Sequence, residues 1–289
     1  MKLLFGKTLL YAVLILICLE LITRVFHLYQ EQPVFIINDL NVKTYAPNQD
    51  GFSVTGNRKM NFAHYHINKS GFNSYREFIP SDDKTDVALI GDSYDFADEL
   101  HLINAYKDKF QEIDEIIIYM KFENDLKRDS YKPDQYWIDS QYFTFSKIKR
   151  KIKLLSYMDD IGALHPFRSL KTKLLSFGNN PNNNVSISNP DEIDSRDLRY
   201  LDNFKKIIQT YGFDKNKTAI LLDSRTTSKT FLEYSNTMGY RIIDFSERIE
   251  KSKRPTTLVY DMHWNNHGRS IIASVIADYI KEKQKTKRL

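Results

Sequence analysis

The sequence predicts an α/β fold: a three-layer α/β/α sandwich built on a parallel sheet, preceded by an N-terminal transmembrane helix. Three observations predict it. Four short apolar runs, at residues 87–90, 116–120, 218–222 and 241–245, are bounded by polar turns, the pattern required of parallel strands in a sheet covered on both faces. Segments with apolar residues at helical spacing fall between and after these runs, and alternation of strand and helix is the mark of a layered α/β domain. Finally, an almost unbroken apolar stretch opens the chain.

That opening stretch, from Leu3 to Ile22, matches the roughly 20 apolar residues a helix needs to cross a bilayer. Lys7 and Glu20 lie near its ends, where long charged side chains reach the interfaces. The positive flank at Lys2 and Lys7 predicts a cytoplasmic N-terminus and a body outside, in the periplasm or at the cell surface. No small-x-small cleavage site follows the apolar core, so residues 1–27 read as a signal anchor rather than a cleaved signal peptide. A buried core helix is the alternative.

Residues 28–80, broken by Pro33, Pro47 and Gly51, read as a membrane-proximal stalk or hairpin. Within them the alternation from Phe62 to Phe72 predicts a strand ending in a glycine turn at Gly71. His64 and His66 face the same way on such a strand, but no third ligand lies nearby, and they read as surface histidines. Residues 81–285 form the α/β domain. Its helices are expected at 197–211, with Leu198, Leu201, Phe204, Ile207 and Ile208 on one face, at 230–238, and at 266–283. Residues 127–190 interrupt the rhythm as an insertion. It is aromatic and basic at first, reading as helices that form a lid, then Asn-rich through 178–184, reading as a disordered loop.

With Lys+Arg 42 and Asp+Glu 37 the formal charge is +5, too small and too scattered for a nucleic-acid partner. The exceptions are the basic run at 147–153 and the tail at 281–288. These read as solvated helix faces or, more sharply, as contacts to a membrane surface or an anionic polysaccharide. The single Cys18 excludes an intrachain disulfide and a cysteine zinc site. There is no Gly-rich phosphate loop and no acidic and histidine cluster at ligand spacing, which disfavours a nucleotide enzyme and a metal phosphoesterase. The sequence implies no cofactor and no metal.

Two distant fragments carry chemistry. Val87-Ala88-Leu89-Ile90-Gly91-Asp92-Ser93 is an apolar run that stops abruptly at a serine, and Asp261-Met262-His263-Trp264-Asn265 lies just ahead of the last amphipathic stretch. A serine is a poor nucleophile until a base takes its proton, and the base must itself be held. Ser93, His263 and Asp261 supply those three types. Between the fragments, Phe122-Glu123-Asn124-Asp125 follows a strand-like run. On these motifs the chain resembles the SGNH (GDSL-type) hydrolases, whose sheet is flavodoxin-like, over roughly residues 60–285. The Asp-x-His-Trp-Asn form is closer to the membrane-anchored members associated with bacterial exopolysaccharide systems than to the secreted lipases.

The resemblance implies a catalytic Ser93, His263 as base, Asp261 holding the imidazole, and an oxyanion received by the Ser93 N–H and the Asn124 side chain. It implies that Trp264 packs beside the histidine or lines a sugar pocket. The chemistry would be that of a serine esterase or O-acyltransferase on a cell-surface glycan ester, most simply an acetyl ester. Its partners would be an acylated glycan or small ester, the membrane through the N-terminal helix, and proteins of polysaccharide biosynthesis. One departure is plain: the family's second motif, a glycine turn after its second strand, has no counterpart, because no glycine occurs from Tyr94 to Asp114. That span suits one short helix and a turn. Loss of one oxyanion donor typically costs about 100- to 1000-fold in turnover, so the alternative reading is a catalytically impaired protein that binds glycan or assists assembly. Singly, each motif has a plainer account. Ser93 can cap a helix, Asp261-Met262-His263 followed by Asn265-Asn266 can be a helix entry with an incidental histidine, and Asp92, Asp223, Asp244 and His267 read as structural.

Overall fold

A computed structural model of the chain describes residues 2–55, 61–77, 86–91, 95–164, 190–258 and 263–287. Helix α1, Lys2–Val25, stands almost bare. Its stretch Leu4–Val25 has a mean hydropathy of 2.1 and only 6% of it is buried, so it meets the length and composition of a membrane span. Two hairpins follow. Strands β1 (Phe35–Ile37) and β2 (Lys43–Tyr45) pair antiparallel, as do β3 (Gln49–Thr55) and β4 (Asn61–Ile67). After β4 the Asn68 carboxamide accepts the N–H groups of Ser70 and Phe72, and Gly71 turns with φ +82. Its backbone passes so near β2 that a Cβ would lie 2.6 Å from the Tyr45 carbonyl oxygen. The expected strand and glycine turn are both present. The hairpins are docked rather than free-standing: Asn38 donates to the Tyr106 hydroxyl at 2.7 Å, and the Lys43 N–H to that of Tyr131 at 2.9 Å.

The main sheet holds β5 (Val87–Ile90), β6 (Glu115–Tyr119), β7 (Thr218–Leu222) and β8 (Arg241–Asp244), in that spatial order and all parallel. The connections carry α2 (Phe96–Ala105) and α3 (Lys107–Gln111), then α4 (Phe122–Asp125), α5 (Gln135–Ser140), α6 (Thr144–Lys151), α7 (Lys153–Asp160) and α8 (Pro190–Tyr211). Helices α9 (Lys229–Thr237), α10 (Ser246–Glu250) and α11 (Asn266–Lys287) complete the order. Side chains alternate across the strands with a period of two. Ile116, Ile118, Ile220 and Leu222 pack with Phe96, Leu100, Phe204 and Phe231 from α2, α8 and α9. Ile117, Ala219, Leu221 and Ile243 pack on the other side with Ile272 of α11. The chain is therefore an α/β protein with helices on both faces of a parallel sheet.

Two expectations need correcting. Strand β5 was expected to be covered on both faces, yet Val87 and Leu89 are 40% and 62% exposed. The reason lies in the β5–β6 connection: among its described residues α2 and α3 fill it and no strand intervenes, so β5 is the sheet's edge, and the apolar cluster under α11 contains no β5 residue. Leu198, expected on the buried face of α8, is 59% exposed. It precedes the buried Phe204 by six residues, more than one and a half turns of roughly 3.6 residues, and so points away. The expected insertion is helical through α5, α6 and α7, while the Asn-rich stretch at 178–184 lies outside the described residues.

Candidate active site

The site is built around Tyr119, the last residue of β6. Strand β5 ends in Gly91, whose φ of +127 is open to glycine and strained for other residues. A Cβ there would lie 2.8 Å from the Tyr119 carbonyl oxygen and 3.0 Å from the Tyr119 Cβ. From the opposite end of the sequence, the Trp264 ring packs on the Tyr119 ring at 4.8 Å and on Phe245, just past β8, at 5.4 Å. The glycine two residues before Ser93 and the tryptophan next to His263 thus share one neighbour at the carboxyl rim of the sheet, where open α/β sheets bind ligands. Ser93 and Asp261, with Asp92, lie outside the described residues. His263 is exposed on this rim.

Asn265 holds the second motif in place, at the helix entry that the sequence allowed there. Its Oδ1 accepts the Gly268 N–H at 2.9 Å, capping α11, while its Nδ2 donates to the carbonyls of Pro255 at 2.8 Å and Thr257 at 3.0 Å. The Leu258 N–H donates to the His263 carbonyl at 2.9 Å, and the Asn265 N–H to that of Thr256 at 3.0 Å, so residues 256–258 and 263–265 form a short antiparallel clasp. Gly268 lets the helix approach it, since a Cβ would come within 2.1 Å of the Thr256 oxygen. An asparagine immediately before an amphipathic run is an N-cap signal that was available in the sequence.

Asn124 lies in α4, directly beyond β6, and is exposed. Its amide donates to Asp125 Oδ1 at 3.1 Å and its oxygen accepts from Lys127 at 3.2 Å, while Asp125 Oδ2 accepts the Lys121 N–H at 2.6 Å. Trp264, expected beside the histidine or in a sugar pocket, is half-buried against Tyr119, Phe245 and the cluster under α11. His66 pairs with Asp50 at 2.6 Å and stacks on Tyr75, and His64 meets the Phe52 ring edge-on. Among the described residues no three His, Cys, Asp or Glu side chains are grouped to hold a metal ion. Asp244 accepts the N–H groups of Ser224 and Ser246 and the Ser246 hydroxyl. Burial alone would raise its carboxyl, but these donors outweigh it and lower it. His267 bonds the Ser252 hydroxyl at 2.9 Å.

Two buried acids not singled out from the sequence lie behind Gly91. Glu99 of α2 is 2% exposed, with Oε1 3.0 Å from the position of a Gly91 Cβ. Asp98, beside it, faces Arg128 at 3.3 Å and Lys43 at 3.9 Å. Burial pushes Asp98 up to about 6 against the attraction of Lys43, and burial likewise lowers Lys43. Their only signal in the sequence was a pair of acids just after Ser93. A groove of about 560 Å³ runs along the open edge of β5 from Asp86 to Gly91, with Tyr45, Arg76, Asp98 and Tyr131 in its walls.

Compared with protein-family models, curated proteins and solved structures, the chain matches none. What its fold defines is the class: an α/β protein on a four-stranded parallel sheet, with one N-terminal apolar helix long enough to cross a bilayer.

Proposed function

We propose that this chain is a membrane-anchored serine hydrolase or O-acyltransferase of the SGNH type, acting outside the cytoplasm on an acyl ester of a cell-surface glycan. The observation that carries the reading is the shared neighbour of the two motifs: Gly91 and Trp264 both abut Tyr119 at the end of β6. Gly91 and Trp264 lie more than 160 residues apart in sequence, and each stands next to part of a Ser-His-Asp set.

In this mechanism Ser93 Oγ attacks the acyl carbonyl while His263 takes its proton, with Asp261 holding the imidazole tautomer. The tetrahedral oxyanion takes hydrogen bonds from the Ser93 N–H and the Asn124 amide. The bond to the sugar oxygen breaks, that oxygen leaves with the proton from His263, and an acyl-serine remains. Water or a second sugar hydroxyl, deprotonated by His263, then takes the acyl group and restores the serine. The groove beside β5 offers an extended, partly charged surface of the size a few sugar units need. Anchoring is supported by the far end of α1, where Thr23 is buried and Glu20 bonds the folded body, so that the helix and body form one structure.

The test is p-nitrophenyl acetate hydrolysis by the detergent-solubilised full chain beside Ser93→Ala and His263→Ala. We expect at least a hundredfold loss in both variants. Equal rates in all three would sink the esterase reading. A glycan-binding protein is the second reading, favoured by α2 and α3 standing where the family's second strand and glycine turn would lie. In that case acetylated oligosaccharide binds wild type and Ser93→Ala alike and is never deacylated.

A further inference from the structure

The region between α1 and the hairpins carries features that the hydrolytic reading does not use. Glu20, near the end of α1, reaches the body: its Oε1 accepts the Lys153 N–H at 3.0 Å and its Oε2 the Leu154 N–H at 2.7 Å. Arg24, one turn on, donates to the Lys151 carbonyl at 2.7 Å. These bonds cap the start of α7 and pin the α6–α7 junction beside α1. At about 1.5 Å per residue, Glu20 lies roughly 24 Å along the helix from Leu4. A hydrocarbon core is about 30 Å thick, so the junction is held close to the membrane border on the body's side.

Helix α6 presents an uncovered apolar strip at that level. Phe145 and Ile148, spaced to share one helix face, are 56% and 43% exposed, Ile152 at the end of the helix is 41% exposed, and Phe143 just before it is 51% exposed. Single exposed apolar residues need no account, but a contiguous strip does. Lys147 and Lys151 flank it and are exposed. The other three cations of the run are turned to the protein, Lys149 pairing with Asp159, Arg150 donating to the Gln141 carbonyl and Lys153 pairing with Glu31. Trp137 and Tyr142, both exposed, stand alongside and are fixed to β1 by ring contact and a hydroxyl bond at Phe35. Tryptophan and tyrosine beside a basic helix that carries an apolar strip are the residues that favour a bilayer interface.

We propose that α6 lies in the interface of the same bilayer that α1 crosses, its Phe145–Ile148–Ile152 strip in the acyl border and Lys147 and Lys151 against anionic lipid headgroups. This rests on α1 being retained as an anchor. Its consequence is geometric: with both α1 and α6 in the membrane, the body is held in one orientation rather than swinging on a single helix. The occupant is a lipid surface because Glu20 and Arg24 hold the α6–α7 junction beside α1, a helix long and apolar enough to cross a bilayer.

The test uses the full chain with Cys18→Ala, leaving no native thiol, reconstituted in phosphatidylcholine vesicles with and without phosphatidylglycerol. Nitroxides are placed by Phe145→Cys, Ile148→Cys, Leu14→Cys in α1 and Lys229→Cys in α9, and their access to oxygen and to a nickel chelate is compared. Labels at 145 and 148 should favour oxygen, between the strong preference at 14 and the aqueous reading at 229, and more so with phosphatidylglycerol. Aqueous readings at 145 and 148 with a buried label at 14 would overturn the proposal and leave the anchor intact. An aqueous reading at 14 would overturn the anchor, and the interfacial placement with it. Lys147→Glu with Lys151→Glu should shift the label at 148 toward water in the anionic vesicles. No shift would remove the headgroup contact.

Discussion

Asn265 and Asp98 carry the most weight for their size. Asn265 makes three hydrogen bonds with one carboxamide, and it is 7% exposed. Asn265→Ala removes a helix cap, typically worth about 1 kcal/mol, and two hydrogen bonds to part-buried carbonyls, each worth about 0.5–1.5 kcal/mol. We expect a loss of about 2–4 kcal/mol in urea unfolding together with lost esterase activity, whereas Asn265→Asp, which keeps the cap alone, should fall between. Asp98 makes a pH prediction. Its folded carboxyl titrates near 6 against an ordinary 3.8, so over that interval the folded protein binds more protons than the unfolded chain. Stability from this group is therefore full below pH 4 and declines as pH rises toward 6. Asp98→Asn should remove that decline, flattening the urea midpoint between pH 4 and 6 relative to wild type. Parallel pH curves for the two proteins would contradict it.

At the scale of elements, the α1–α7 contact and the α2–α3 connection decide the architecture. Helix α7 takes its N-terminal cap from a carboxylate on another helix more than 130 residues away in sequence. Glu20→Ala leaves those N–H groups without that cap and separates the α6–α7 corner from α1, while the sheet core remains intact. The expected outcome is faster trypsin cleavage at Lys151 and Lys153, by about threefold to tenfold for a loss near 1 kcal/mol, with unchanged thermal unfolding of the α/β body. Unchanged cleavage would mean that other contacts hold the corner. The α2–α3 connection leaves β5 as an edge, its Val87 and Leu89 side chains and its groove open. Edges are usually blunted, and here the β2 hairpin and the turn at 68–77 flank it as the groove's second wall.

Across the whole molecule, the two ends of the sheet carry different groups. At the amino end, Glu115 is 1% exposed and is met by Arg241 at 3.0 Å, the Tyr279 hydroxyl at 2.8 Å and Lys283, tying β6 and β8 to α11. Burial and the bond to Glu115 raise the Tyr279 phenol. Removing one partner of a buried ionic cluster costs about 3–5 kcal/mol. Glu115→Gln should therefore lower stability by that order, read by urea unfolding, while activity per folded molecule stays within about twofold. A large activity loss in the folded fraction would mean the two ends are coupled. The carboxyl end, with Gly91, Asn124 and His263, is where substitution should change chemistry with less effect on folding.

Much of this was legible in the sequence, for reasons of range. The apolar helix at the N-terminus, the runs that became β5 to β8 and the helices over 197–211 and 266–283 are local patterns, periodic at 2 or about 3.6 residues, and local patterns survive in a one-dimensional string. The glycine turn at Gly71 and the absence of glycine between Ser93 and Glu115 were legible for the same reason. What only the tertiary structure decided depends on partners distant in sequence. Nothing in Val87 or Leu89 announces an edge, because that depends on which strand does not come beside them. Nothing near Glu20 announces α7, and Tyr119 carries no mark of the two segments that meet on it. Periodicity specifies which face of an element is apolar; only packing specifies what that face, or that carboxylate, will meet.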